Sequence, residues 1–168
     1  SSRIYDFDCE RLKLVSGEKD MKNILLNYFD EHKNEMFSFL SELLKIDTQN
    51  YMSHGKEEQG QLFLEEYCRK CDLETDFYYP DDVDGLLSHE GYLPNRGTDK
   101  RPNVTAVMKG RSGRYKIHLA AHMDTMPIGN ETDWSVPPLG GVIKDNKIWG
   151  RGASDDKFGI VSGIFVLK

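Results

Sequence analysis

At 168 residues, the chain is long enough for one domain with a core of its own. A net charge of −6 and a pI near 5.4 argue against sequence-independent nucleic-acid binding, which needs a basic face. There is no run of 18 apolar residues to span a membrane, no apolar signal region at the start, and an odd count of three cysteines, so a cytoplasmic protein without a disulfide framework is expected.

Residues 1–19 are mixed and polar and read as an irregular lead-in to a single domain over 20–168. From Met21 a helical pattern begins. Leu25, Phe29, His32, Met36, Leu40 and Leu43 step by three or four and share one face. The pattern fades at Ile46-Asp-Thr-Gln-Asn50, a turn-like cluster. A second helix is predicted over about Lys56 to Asp72, with Gly60, Phe63, Leu64, Tyr67, Cys68 and Cys71 as its stripe. Cys68 and Cys71 fall near the end of that helix, whereas a redox pair sits at a helix start and a zinc ribbon needs two such pairs. They are read as core.

Glu74–Tyr79 reads as a short strand ending at Pro80. Residues 80–102 show no periodicity. A structureless stretch of that length is uncommon and often functional, and this one is expected to border a cleft. Asn103–Met108 and Tyr115–Ala121 read as two strands joined by Lys109-Gly-Arg-Ser-Gly-Arg114 into an antiparallel hairpin. The Gly110-Arg-Ser-Gly113 segment lacks the spacing and Lys-Ser/Thr ending of a phosphate loop. A smaller hairpin is predicted where Val142-Ile-Lys and Lys147-Ile-Trp flank Asp145-Asn146. The final segment, Ile160 to Lys168, is apolar and carries no stop signal, so the chain is expected to be the N-terminal part of something longer, with an exposed patch that favours oligomers.

Two motifs carry chemistry. In Leu119-Ala-Ala-His-Met-Asp-Thr-Met-Pro127, His122 and Asp124 stand two apart at the end of an apolar strand, and so point to the same side. A carboxylate there can accept the N–H of the imidazole nitrogen that does not bind metal, which fixes the tautomer and raises ligand basicity. The plainer alternative is a polar strand end with His122 satisfied by a backbone carbonyl. His118 lies about 13 Å farther back along such a strand, too far to share an ion with His122, and is read as structural. In Gly150-Arg-Gly-Ala-Ser-Asp-Asp-Lys-Phe-Gly159, Asp155 and Asp156 sit in a glycine-bearing turn before a possible helix. They fit simple N-capping or a group bridging two metal ions, with Lys157 beside them to offset charge. Asp133 to Gly141, rigid with prolines and holding Trp134, reads as structural.

The order of these motifs resembles the M20 metallopeptidases, the family of acetylornithine deacetylase, succinyl-diaminopimelate desuccinylase, aminoacylase, carboxypeptidase G and dipeptidases. Leu43-Leu-Lys-Ile-Asp-Thr48 and Arg101-Pro-Asn-Val104 are similar to its N-terminal region, so the likeness runs from about residue 22 to 168. The resemblance implies an α/β fold, a three-layer α-β-α catalytic domain with a mixed sheet, interrupted by a smaller lid domain. It implies two zinc ions, or cobalt or manganese in their place. His122 would bind one, Asp155 would bridge both, and Asp124 would serve catalysis by orienting His122. It also implies a cis peptide between Asp155 and Asp156. The family's glutamate general base, its remaining acidic ligands and a distal histidine are expected beyond Lys168.

The parent is therefore expected to be a dinuclear amidohydrolase of small N-acyl amino acids or dipeptides, without nucleic-acid or membrane partners, and a homo-oligomer is its candidate assembly. The 168-residue chain alone is expected to bind metal weakly and to be inactive. The alternative is a non-catalytic module, or an artificially shortened chain, with a role only in folding or assembly.

Overall fold

The computed structural model describes residues 18–93, 97–110 and 117–167. The lead-in 1–17 and most of the Lys109–Arg114 connection lie outside them. Helix α1 (Glu18–Lys45) is followed by the short pair β1 (Asn50–Tyr51) and β2 (His54–Gly55), then α2 (Glu58–Lys70), β3 (Glu74–Tyr78), β4 (Asn103–Val107), β5 (Val142–Lys144), β6 (Lys147–Trp149) and α3 (Lys157–Leu167). The elements are those of an α/β fold. Among the described residues the three ladders are all antiparallel two-stranded pairs, and Gln49 and Thr125 form an isolated parallel bridge.

By internal contacts the chain divides into residues 1–35 and 36–168, the division falling within α1. In the first unit, Leu25 and Phe29 are exposed, and His32 sits under the Tyr28 ring at 4.3 Å. The predicted stripe is thus buried only from Met36 onward, because periodicity sets which residues share a face and not whether that face is covered.

In the second unit the core is made by Phe39, Leu40, Leu43 and Leu44 of α1, Leu64 and Cys68 of α2, Leu73, Met123, and Ile160, Val161, Ile164 and Phe165 of α3. Phe39 stacks on Tyr67 at 3.7 Å between ring centres. Helix α2 stops at Lys70, two residues before the predicted end, through a Schellman closure. Leu73 N–H reaches Cys68 O and Asp72 N–H reaches Arg69 O, both at 3.1 Å, with Asp72 at φ 57° in the place usually taken by glycine.

Strand β4 pairs with β3, from Glu74 opposite Val107 to Tyr78 opposite Asn103. This corrects the predicted hairpin of 103–108 with 115–121. Residues 117–121 form no strand and are exposed. Strand β4 instead lies with β3 against α2, where Val104 and Ala106 pack on the core; residues 115 and 116 of the predicted partner lie outside the described residues. The smaller hairpin forms as predicted, with Lys144 opposite Lys147. Asp145 and Asn146 at φ 55° and 56° have the double positive φ of a tight primed turn.

Candidate metal centre

The first arm of the site is residues 122–125. It is not the end of a regular strand, but its backbone is held extended by the segment after α1. Thr125 N–H donates to Thr48 O at 3.0 Å, Asn50 N–H to Thr125 O at 2.8 Å, and the Thr48 hydroxyl to Met123 O at 2.9 Å. Extended chain alternates its side chains. Met123 and Thr125 are therefore buried, and His122 and Asp124 face the other way.

On that outer side, His122 Nδ1 lies 3.0 Å from Asp124 O and 3.2 Å from Asp124 Oδ1. Both are acceptors, so Nδ1 carries a proton, which leaves Nε2, facing the other way, to take a proton or a metal ion. Asp124 is itself held: its Oδ2 accepts from Asn50 Nδ2 at 2.8 Å. The carboxylate and the backbone carbonyl thus both orient His122. Burial pulls the His122 pKa down, but the Asp124 carbonyl and the Asp124 and Asp155 carboxylates outweigh it, and the net shift is upward.

The second arm is the turn 150–156. Arg151 N–H donates to Pro138 O at 2.7 Å, and its guanidinium lies over the Trp134 ring at 4.9 Å. Trp134 Nε1 donates to Ile128 O at 2.8 Å, so the segment around Trp134 serves as the anchor expected of it. Gly152, at φ 85°, is pressed so close to Thr125 that a Cβ would lie 2.7 Å from Thr125 Cγ2. The close approach and the left-handed backbone both require glycine. The Asp155–Asp156 peptide is cis, as expected, and α3 begins immediately after it.

The arms meet where His122 Nε2 lies 2.9 Å from Asp155 Oδ1. A lone pair and a carboxylate oxygen at that distance repel unless a proton or a metal cation lies between them. Zinc bonds to histidine and carboxylate are about 2.0–2.2 Å, so ligands of one ion stand about 3 Å apart. The donor chemistry therefore fits a divalent ion. Among the described residues no group of three or more such ligands occurs. His118 lies on the exposed 117–121 stretch, outside the pair.

Lys157 differs from its expected role. It does not lie beside the carboxylates to offset charge. It is fully buried, and its ammonium donates to Leu43 O and Ile46 O, both at 2.9 Å, at the end of α1. Burial pulls its pKa down to about 8, partly opposed by Asp47. Neither this nor the Asn50–Asp124 bond was foreseen. The one signal was the polar run Asp47-Thr-Gln-Asn50 directly after a buried helix end. Cys68, in the core, has its thiol pushed up to about 11 by burial, with Cys71 and Glu65 adding to the shift. This agrees with a packing role.

A cleft of about 560 Å³ runs beside His122 and Asp124. Its far wall includes Leu86, His89 and Tyr92 of the 80–102 stretch, which thus borders the cleft as expected. On the inner wall, Arg101 pairs with buried Glu57 at 2.9 Å. Burial raises the Glu57 pKa, and Arg101 works against that.

Residues 118–168 match the family model of peptidase family M20/M25/M40. An uncharacterized metallohydrolase of Methanocaldococcus jannaschii is 34% identical over 135 residues, 80% of this chain and 31% of that protein. The chain belongs to peptidase family M20. Succinyl-diaminopimelate desuccinylases are also similar. That of a Bradyrhizobium species is 35% identical over 86 residues, 49% of this chain and 22% of the enzyme. That of Roseobacter denitrificans is 44% identical over 54 residues, 32% and 14% of the respective chains. This M20 chain spans about a third or less of the length of the curated relatives it matches. Among the described residues no helix is long and apolar enough to cross a membrane.

Proposed function

We propose that this chain is the first part of the catalytic domain of a divalent-metal-dependent amidohydrolase, with residues 20–168 forming part of a three-layer α-β-α domain that precedes a lid. His122 would bind one ion, Asp155 would bridge that ion and a second, and Asp124 would hold His122 in the tautomer that leaves Nε2 free. The metals would be zinc, or cobalt or manganese. The substrates would be small N-acyl amino acids or dipeptides, and the protein would work in the cytoplasm. The observation that carries this reading is the 2.9 Å approach of His122 Nε2 to Asp155 Oδ1 with Nδ1 turned back onto Asp124. The desuccinylase relatives support a deacylase.

A bound divalent ion would supply Lewis acidity for attack on an amide carbonyl. This chain's own residues do the preparatory work. Asp124 keeps the Nδ1 proton in place, Asp155 presents a carboxylate that is 83% exposed and accessible from solvent, and the 80–102 stretch walls the adjoining cleft. A catalytic zinc takes three protein ligands and a water, so the pair needs ligands from outside the described residues, and the chain alone would be inactive.

The test is to express the complete reading frame with zinc and screen N-acyl amino acids against dipeptides. We expect turnover that a chelator stops and that His122→Ala or Asp155→Asn abolishes, with none from the 168-residue chain. Native turnover in either variant would contradict the assignment.

A further inference from the structure

The two metal-binding arms are 33 residues apart in sequence, and both ligands are open to solvent, His122 half exposed and Asp155 more so. Packing of their own side chains does not hold them. The segment from Leu43 to Asn50 touches both arms by hydrogen bonds. At one end, the carbonyls of Leu43 and Ile46 accept from the Lys157 ammonium, two residues after Asp155. At the other, Asn50 Nδ2 donates to the Asp124 carboxylate, and Thr48 and Asn50 carry the backbone of 123–125.

We propose that residues 43–50 are a brace that sets the His122–Asp155 distance, with Lys157 and Asn50 as its positioning residues. This rests on the metal-site reading above. Carbonyls at a helix end carry partial negative charge and have lone pairs to spare, and Leu43 O accepts from Ile46 N–H at 3.3 Å as well as from Lys157. An ammonium buried against them is tied to one position, and it fixes the start of α3 and the turn that presents Asp155. Asn50 fixes the other arm through Asp124. The contact of Gly152 with Thr125 closes the frame between them. A lysine that merely balanced the Asp155–Asp156 charge would face those carboxylates, and this one faces away into the core.

The experiment uses the metal-free 168-residue chain and three readouts: cobalt affinity, the visible spectrum of bound cobalt, and the ¹⁵N spectrum of the His122 imidazole without metal. Asn50→Ala removes one hydrogen bond at a half-buried position. We expect it to lower cobalt affinity about tenfold, to alter the cobalt spectrum, and to mix the His122 tautomers, with the fold retained by circular dichroism. Asn50→Asp, which puts a carboxylate against Asp124, is expected to be at least as damaging. Lys157→Met is expected to lower cobalt affinity by a similar factor. If it does not fold, Lys157→Gln, which keeps a donor, is expected to recover folding but not full affinity. Native affinity, spectrum and tautomer in Asn50→Ala would overturn the brace, as would native cobalt affinity in a folded Lys157 variant. His122→Ala separates the two ideas. If it leaves cobalt affinity unchanged, the metal assignment fails, and the tautomer comparison then decides for or against the brace.

Discussion

The interior where α1, α2 and α3 meet and the pair His122–Asp155 are opposite kinds of surface. In the interior, Leu43, Leu44 and Lys157 have no exposed area, and even the charged group is held by two carbonyls. The pair is largely open to solvent, with the His122 side chain 50% and the Asp155 side chain 83% exposed. A rigid frame carrying chemistry on exposed turns is a common division of labour. It predicts that changes in the frame appear first as lost stability, and changes in the pair first as lost metal binding.

The largest stability effect is expected from Leu43→Ala, a fully buried truncation in the core. It should cost about 3 kcal/mol, read from the urea midpoint. Gly152→Ala adds a Cβ where the backbone is left-handed and Thr125 is in the way. It should cost about 2 kcal/mol and also weaken zinc binding, because it pushes the arms apart. Asp124→Asn should reverse the pattern. Zinc affinity should fall about 10- to 100-fold while the urea midpoint moves by less than about 0.5 kcal/mol equivalent.

The smallest effect sharpens the contrast from the buried side. With its thiol near 11, Cys68 should be alkylated at pH 8 roughly a hundredfold more slowly than an ordinary cysteine. Its rate should rise about tenfold per pH unit and level off only near that value, measured by mass spectrometry after iodoacetamide. Alkylation of Cys68 at the ordinary rate in folded protein would mean that the core near the end of α2 opens readily.

What could be read from the sequence was local. The α2 stripe of Phe63, Leu64, Tyr67 and Cys68 packs as expected, and the Asp145–Asn146 turn closes its hairpin, because in each case the determining contacts lie within a few residues. The family motifs led to His122, Asp124 and Asp155, and the structure brings these three together. The pairing of β3 with β4 was missed because about 25 residues separate the strands and no turn residue encodes the match. Lys157 was misread for the same reason. Its partners, Leu43 and Ile46, lie more than 100 positions away, and adjacency to two aspartates suggested a charge balance that the buried side chain does not provide. Asn50 was hidden in a run that reads as a turn, although its partner Asp124 is 74 positions on.

The most direct measurement is a zinc titration of the metal-stripped 168-residue chain, comparing the native sequence with His122→Ala, Asp155→Asn and the two combined. Two side chains holding one ion should each lower affinity by more than about tenfold, and the double variant should be little worse than either single one. Native affinity in both single variants would contradict a shared ion, as would losses that simply add in the double variant.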